Sequence, residues 1–214
     1  MRVVAVFSQK GGSGKSTLAI HLAVMAARGQ KVLLVDADAQ GTVEAWGASR
    51  TRPEPLVVRA DPGNIAEVLA AARHEHFQLV LVDCPPHAVA GTAVILRLVD
   101  HVVTPVQPTM PDILATQRTV ALVAAAGKPF TFVINRAPAR AAEVIQARAV
   151  LEQAGPISPV TIGDRRAFSR ALTESLAVSE FARDDKAVDE IFRYWLWLDS
   201  HHWEFETCQR RQAA

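Results

Sequence analysis

Between Val6 and Thr17 the sequence reads VFSQKGGSGKST. An apolar run, Val3 to Phe7, leads into this stretch. A helical pattern with Leu18, Leu22 and Met25 on one face leads out of it. A strand that passes through glycines straight into a helix leaves few folds open, because the helix must then cross back over a sheet. Gly11, Gly12 and Gly14 allow successive N–H groups to turn inward around an anion, and the helix opening near Lys15 adds the positive end of its dipole. Gly14-Lys15-Ser16 completes the phosphate-loop pattern, except that its first glycine falls at position 9, where Gln9 stands. Lys10 follows at once, so the loop carries two lysines.

The remainder repeats the alternation of strand and helix. Strands are predicted at Val32 to Val35, Leu56 to Arg59, Leu79 to Val82, His101 to Pro105 and Phe130 to Ile134, with Val160 to Ile162 as an edge strand. Helices are predicted at Lys15 to Arg28, Ile65 to Arg73, Ala90 to Leu98, Ile113 to Ala126, Ala141 to Gln153, Arg165 to Thr173 and Lys186 to Leu198. Right-handed crossovers then give an α/β fold, a mostly parallel twisted sheet with helices on both faces. Half of the 214 residues are hydrophobic, enough for a real core. No repeat, low-complexity tract or linker divides the chain, so residues 1–198 are expected to form a single domain and 199–214 a tail. No apolar run approaches the ~20 residues that span a bilayer, and an apolar strand follows Met1 directly, so a soluble protein without a leader is expected. Cys84 and Cys208 fit reduced thiols better than a disulfide framework or a metal motif. A formal charge of +1 excludes a bulk field that would draw nucleic acid or anionic lipid, leaving only local patches.

The residue types at the strand ends complete a phosphoryl-transfer site. Lys15 is placed to reach the β- and γ-phosphates, the Ser16 hydroxyl to ligate Mg²⁺, and Thr17 to bond the α-phosphate. Asp83 ends a strongly apolar strand; a lone buried carboxylate is costly, and a hydrated Mg²⁺ beside Ser16 resolves it. Asp36 and Asp38 lie two apart, on one face of an extended segment. Lys10, at the start of the loop, cannot easily curl back to its own phosphates. Its natural target is a phosphate held by a second subunit across a two-fold axis. Asn135 ends another apolar strand with an amide able to pair with an adenine edge, or simply to cap the chain. Pro105, Pro108 and Pro111 give a rigid wall near the base.

The segment KGGSGKST resembles the deviant Walker A motif of the ParA/MinD ATPases, with Lys10 as the signature lysine. VLLVDADAQGTVEAW resembles that family's switch I region, LVLVDCPPH its Walker B strand, VVTPVQPTMPDILAT its proline-rich segment and FVINRAPAR the strand ending in an adenine-side Asn. DRRAFSRALTESLAVSEF resembles its Asp-Arg helix; together these cover about residues 1 to 195. The length resembles that of small ParA proteins of plasmid and chromosome partition. The resemblance implies the ATP-binding set Gly11, Gly12, Ser13, Gly14, Lys15, Ser16, Thr17, Pro108 and Asn135. It implies Mg²⁺ held through Ser16, Asp83 and Asp36, and catalysis by Lys10, Lys15 and Asp38, with Asp38 positioning the water. Ala39 replaces the family's usual proline, which makes the Gln40-Gly41 switch less rigid.

The resemblance further implies a cytoplasmic ATPase that dimerises on ATP, binds DNA without sequence preference at the nucleoid, and is stimulated by a ParB-like partner. Arginines gather in the last third, Arg136 among them, and Arg165, Arg166 and Arg170 are singled out as a DNA-facing edge. Two alternatives stay open. A MinD-like membrane anchor is suggested by the aromatic IFRYWLWLDSHHWEF, although burial of Ile191, Trp195 and Leu198 in the core is the expectation and membrane binding is not. A metabolic enzyme of dethiobiotin synthetase type shares the loop, but not the Asp-Ala-Asp-Ala-Gln switch. His201, His202 and Cys208 are read as solvated.

Overall fold

The structure, a computed structural model, describes residues 1–86, 91–139, 142–182 and 185–212, with the backbone alone for 202–212. The expected helix starts at Ala90 and Ala141, and the side chains of His202 and Cys208, lie outside the described residues.

Seven strands form one sheet in the order β3-β2-β4-β1-β5-β6-β7. They are β1 (Arg2–Val6), β2 (Val32–Asp36), β3 (Leu56–Arg59), β4 (Leu79–Asp83), β5 (His101–Val106), β6 (Phe130–Ala137) and β7 (Ile157–Gly163). Every neighbouring pair is parallel. A parallel sheet is covered on both faces, and the alternation along each central strand shows it. Val4 and Val6 of β1, Leu34 of β2 and Leu81 of β4 pack on one side with α1 (Lys15–Ala26) and α9 (Lys186–Gln212). Val3, Ala5, Val35 and Val82 face the other side, against α3 (Ile65–His74) and α4 (Thr92–Leu98). A smaller core lies between β6, α5 (Met110–Ala125) and α6 (Ala142–Ala154).

Because β1 is flanked by β4 and β5, the glycine loop that follows it opens between the carboxyl ends of three strands. A proline inside β5 is compatible with this central place. The Val103 carbonyl faces β1, accepting from the Phe7 N–H at 2.9 Å, so Pro105 faces the same side. The β1–β5 pairing stops at Val6↔Val103. The N–H that proline lacks would therefore point past the end of β1 and interrupt no ladder.

Three elements depart from the sequence expectation. The Gln40-Gly41 switch leads directly into α2 (Thr42–Ala48), a helix missing from the sequence expectation and started by Gly41 at φ 65°. Gly47 lets that helix sit against β3, since a Cβ there would stand 2.7 Å from Val57 Cβ. A short α8 (Val178–Phe181) follows α7 (Arg166–Thr173). The last helix, α9, runs through the expected boundary at 198 to Gln212. Ile191, Trp195 and Leu198 are buried as expected. Below α2, Arg50 stacks on Trp46 and forms a two-pronged pair with Glu180 at 2.9 Å for each bond, which ties the switch-side helix to α8. Among the described residues, no helix is long and apolar enough to cross a membrane.

Candidate nucleotide site

At the carboxyl ends of β1, β4, β6 and β7 the surface opens into a cleft of ≈ 670 Å³. Gly11, Gly12, Gly14, Lys15, Ser16 and Thr17 line one wall, Asp38 and Pro86 a second, and Asn135, Arg136 and Asp164 a third. A deeper apolar end is formed by Leu18, Ile162, Phe168 and Leu172, with His21 among them. Gly12 and Gly14 take φ of 78° and 88°, the left-handed backbone for which glycine is needed. Ser13 is fully buried.

The charges of this cleft are poised rather than satisfied. Lys15 is almost fully buried and its ammonium donates to the Lys10 carbonyl at 3.3 Å. Burial lowers its pKa, against the opposing pull of Asp83 and Asp38. Asp83 is fully buried, and neither carboxylate oxygen meets a partner in good hydrogen-bond geometry. Burial raises its pKa to about 7; the Ser16 hydroxyl opposes this, Asp36 adds to it, and Lys15 opposes it. A lysine short of its anion beside a carboxylate short of its cation is what a magnesium–phosphate complex would relieve. Among the described residues no group of three or more His, Cys, Asp or Glu side chains could hold a metal by itself. A carboxylate and a hydroxyl that leave the rest of the shell to water and phosphate suit Mg²⁺, which keeps most of its waters.

The predicted site residues fall into two groups. The loop residues from Gly11 to Thr17, apart from the buried Ser13, line the cleft with Asp38 and Asn135, and Asp83 is buried behind it, near Ser16 and Lys15. Asp36 is close by but otherwise occupied: one oxygen accepts from the Asp38 N–H at 3.0 Å and the other from the Glu44 N–H at 2.8 Å, which pins the switch segment and the first turn of α2. Asp38 in turn accepts from the Gln40 N–H at 3.0 Å. Pro108 is buried and is not among the residues lining the cleft. Asn135 sends its amide nitrogen to the Ser13 carbonyl at 2.8 Å, across 122 residues of sequence. Lys10 is half-buried, and among the described residues its ammonium makes no hydrogen bond or ion pair.

The three arginines do not form one helical edge. Arg165 stands before α7 in extended backbone, and its guanidinium is engaged by Glu190 through two bonds. Arg166 and Arg170 are exposed one turn apart on α7, with Arg170 over the Phe181 ring. Gln107, which sequence reasoning did not single out, and Arg136, which it left among the clustered arginines, reach the glycine loop. Their only sequence signal is that each sits at the carboxyl end of a strand.

A family model described as the CobQ/CobB/MinD/ParA nucleotide binding domain matches residues 4–178. The maintenance of carboxysome distribution protein A of Halothiobacillus neapolitanus is 29% identical over 199 residues, 88% of this chain and 92% of that protein. Its namesake in Gloeobacter kilaueensis is 30% identical over 218 residues, 91% of this chain and 95% of the relative. The septum site-determining protein MinD of Pyrococcus horikoshii, solved with Mg-ADP, superposes with a TM-score of 0.78 at 18% identity, covering 92% of this chain and 96% of that one. At that identity the superposition speaks to the fold.

Proposed function

Because the chain belongs to the CobQ/CobB/MinD/ParA nucleotide-binding family, we propose that it is a positioning ATPase that works as a two-copy switch. ATP closes two protomers face to face, the closed pair holds DNA without regard to sequence, and a small partner protein triggers hydrolysis and release. One observation carries the reading. Lys15 is buried within the loop, whereas the Lys10 ammonium has no partner among the described residues. A loop with one committed and one uncommitted ammonium suits an anion shared between subunits.

In this reading the loop N–H groups and Lys15 hold the phosphates. Ser16 and Asp83 would hold Mg²⁺, which supplies charge neutralisation between the phosphoryl groups. Asp38 orients the water that attacks the γ-phosphorus as the bond to the β-bridging oxygen breaks. Lys10 of the partner subunit neutralises the charge that builds up there, so a lone protomer turns over slowly. Asp36 works one step back, by fixing the segment that carries Asp38. Arg166 and Arg170 are offered to DNA ahead of Arg165, whose charge Glu190 already meets. For cargo, two relatives that align over about nine-tenths of the chain, at 29% and 30% identity, are named for carboxysome distribution. A protein-bounded compartment therefore ranks ahead of a plasmid or chromosome, and the protein would be cytoplasmic and nucleoid-associated when ATP-bound.

Light scattering and turnover with Mg-ATP test the switch. Asp38→Ala is expected to accumulate as an ATP-bound dimer with hydrolysis cut by at least ~10²-fold, and Lys10→Ala to remain monomeric. A Lys10→Ala protein that dimerises like the wild type rules out the cross-subunit lysine. The closed Asp38→Ala pair should bind plain duplex DNA at low salt and lose it steeply as salt rises. Retention on anionic vesicles instead of DNA would move the reading to a membrane-associated switch.

A further inference from the structure

We infer that Gln107, Asn135 and Arg136 form a carbonyl clamp that shapes the phosphate loop before nucleotide arrives. Asn135 thereby acts on the phosphates through the loop. The inference rests on the nucleotide reading above and adds three positioning residues to it.

The geometry is simple. The Gly12 carbonyl accepts from Gln107 Nε2 at 2.7 Å and from Arg136 Nη1 at 3.3 Å, so both of its lone pairs are used. The next carbonyl, that of Ser13, accepts from Asn135 Nδ2 at 2.8 Å. In a trans peptide the C=O of one residue and the N–H of the next point in opposite directions. Holding the two carbonyls therefore holds the N–H groups of Ser13 and Gly14 the other way, and among the described residues neither N–H has a protein acceptor. Two adjacent donors locked in place with nothing to bond are half of an anion nest. Without the clamp these peptides could rotate about the free dihedrals of Gly12 and Gly14 and present carbonyl oxygens to the phosphates.

The clamp is part of the sheet rather than of the loop. Gln107 follows β5 directly, and Asn135 and Arg136 lie in β6. The β6–β7 register slips between Ile134 and Ala137, and Arg136 sits in that slip at φ 52°. A left-handed non-glycine residue is an uphill backbone state, and a bulge at a strand end commonly re-aims a side chain. Here the bulge delivers a guanidinium to the loop, braced by Asp164 at 3.4 Å. Asn135 is packed so closely that a Cβ on Gly14 would lie 2.4 Å from its Nδ2. Loop and clamp are thus fitted to each other.

The test compares Mg-ATP with inorganic tripolyphosphate, which has no base, on the full chain carrying Gln107→Ala, Asn135→Ala or Arg136→Gly. Asn135→Ala is expected to weaken both ligands alike, by ~10-fold or more, and the other two to weaken both by ~3–10-fold. Arg136→Gly relaxes the left-handed backbone, so its melting temperature without ligand should hold or rise while its affinity falls. A merely structural role would lower both together. An Asn135→Ala protein that loses ATP but keeps tripolyphosphate overturns the clamp and makes Asn135 a base reader. Wild-type affinities in all three variants also overturn it. Wild-type protein that binds neither ligand removes the nucleotide reading itself, an outcome distinct from both.

Discussion

Gly14→Ala is expected to leave a folded protein that no longer binds Mg-ATP. Two independent costs converge on this atom. Gly14 sits at φ 88°, where any L side chain is strained by about 1–3 kcal/mol. The added methyl would also stand 2.4 Å from Asn135 Nδ2, itself bonded to the Ser13 carbonyl. Neither can move cheaply, since Asn135 is nearly fully buried in β6, a strand paired on both sides, and Gly14 precedes the first turn of α1. The strain is released by tilting the loop, which turns its N–H groups away from the phosphates. An affinity loss of about 100-fold or more follows, roughly 2.7 kcal/mol. The measurement is the thermal shift on adding Mg-ATP. Wild type should gain about 2.7 kcal/mol of stability at a hundredfold excess over its dissociation constant, and the variant almost none. A Gly14→Ala protein shifted by ATP as far as wild type would show that the loop does not hold nucleotide in this geometry.

Below about pH 6.5 His21 alone is expected to withdraw about 1.4 kcal/mol of stability per pH unit. The ring lies inside the fold at 1% exposure, packed 5.0 Å from the Phe168 ring, with Nδ1 accepting from the Val178 N–H at 3.1 Å. That bond needs an unprotonated Nδ1, so the neutral ring carries its proton on Nε2. Burial pushes the pKa down to about 3, with Glu180 pulling weakly the other way. The folded state therefore favours the neutral ring. Its contribution is complete above the ordinary histidine pKa and drains away as pH falls from about 6.5 towards 3. His21→Asn keeps an acceptor in the place of Nδ1 but cannot titrate. Between pH 6.5 and 4.5 the stability gap between wild type and variant should move by roughly 2 kcal/mol in the variant's favour, read from denaturant midpoints. Parallel pH profiles would mean that the ring is hydrated or already charged in the native state.

How much of this was legible beforehand differs from element to element. The strands and long helices were readable because each carries its own periodicity, and β2, β3 and β4 end where the apolar runs end. Asp83 was readable as a buried carboxylate without a local partner because an acid closing four apolar residues has no local means of being satisfied. The short α2 was hidden: it buries only Val43 and Trp46, and its penultimate residue, Gly47, which reads as a helix breaker, is there to let the helix approach Val57. Arg165 looked like an available charge because Glu190, its partner, lies 25 residues further on.

The sequence by itself determined a strand, a glycine loop and a helix with two lysines and three strand-end carboxylates, and hence a phosphate site on a parallel sheet. These features are local: spacing, backbone freedom and the cost of burying an unpaired charge act within a few residues. Only the tertiary structure decided which carbonyls the loop hides, which aspartate is free and which arginine is spent. Those depend on the strand order, which sets Asn135 and Arg136 of β6 and Gln107 beside Gly12 and Ser13. A hydrogen bond is won by whichever partner folding brings within about 3 Å, however far apart the two lie along the chain.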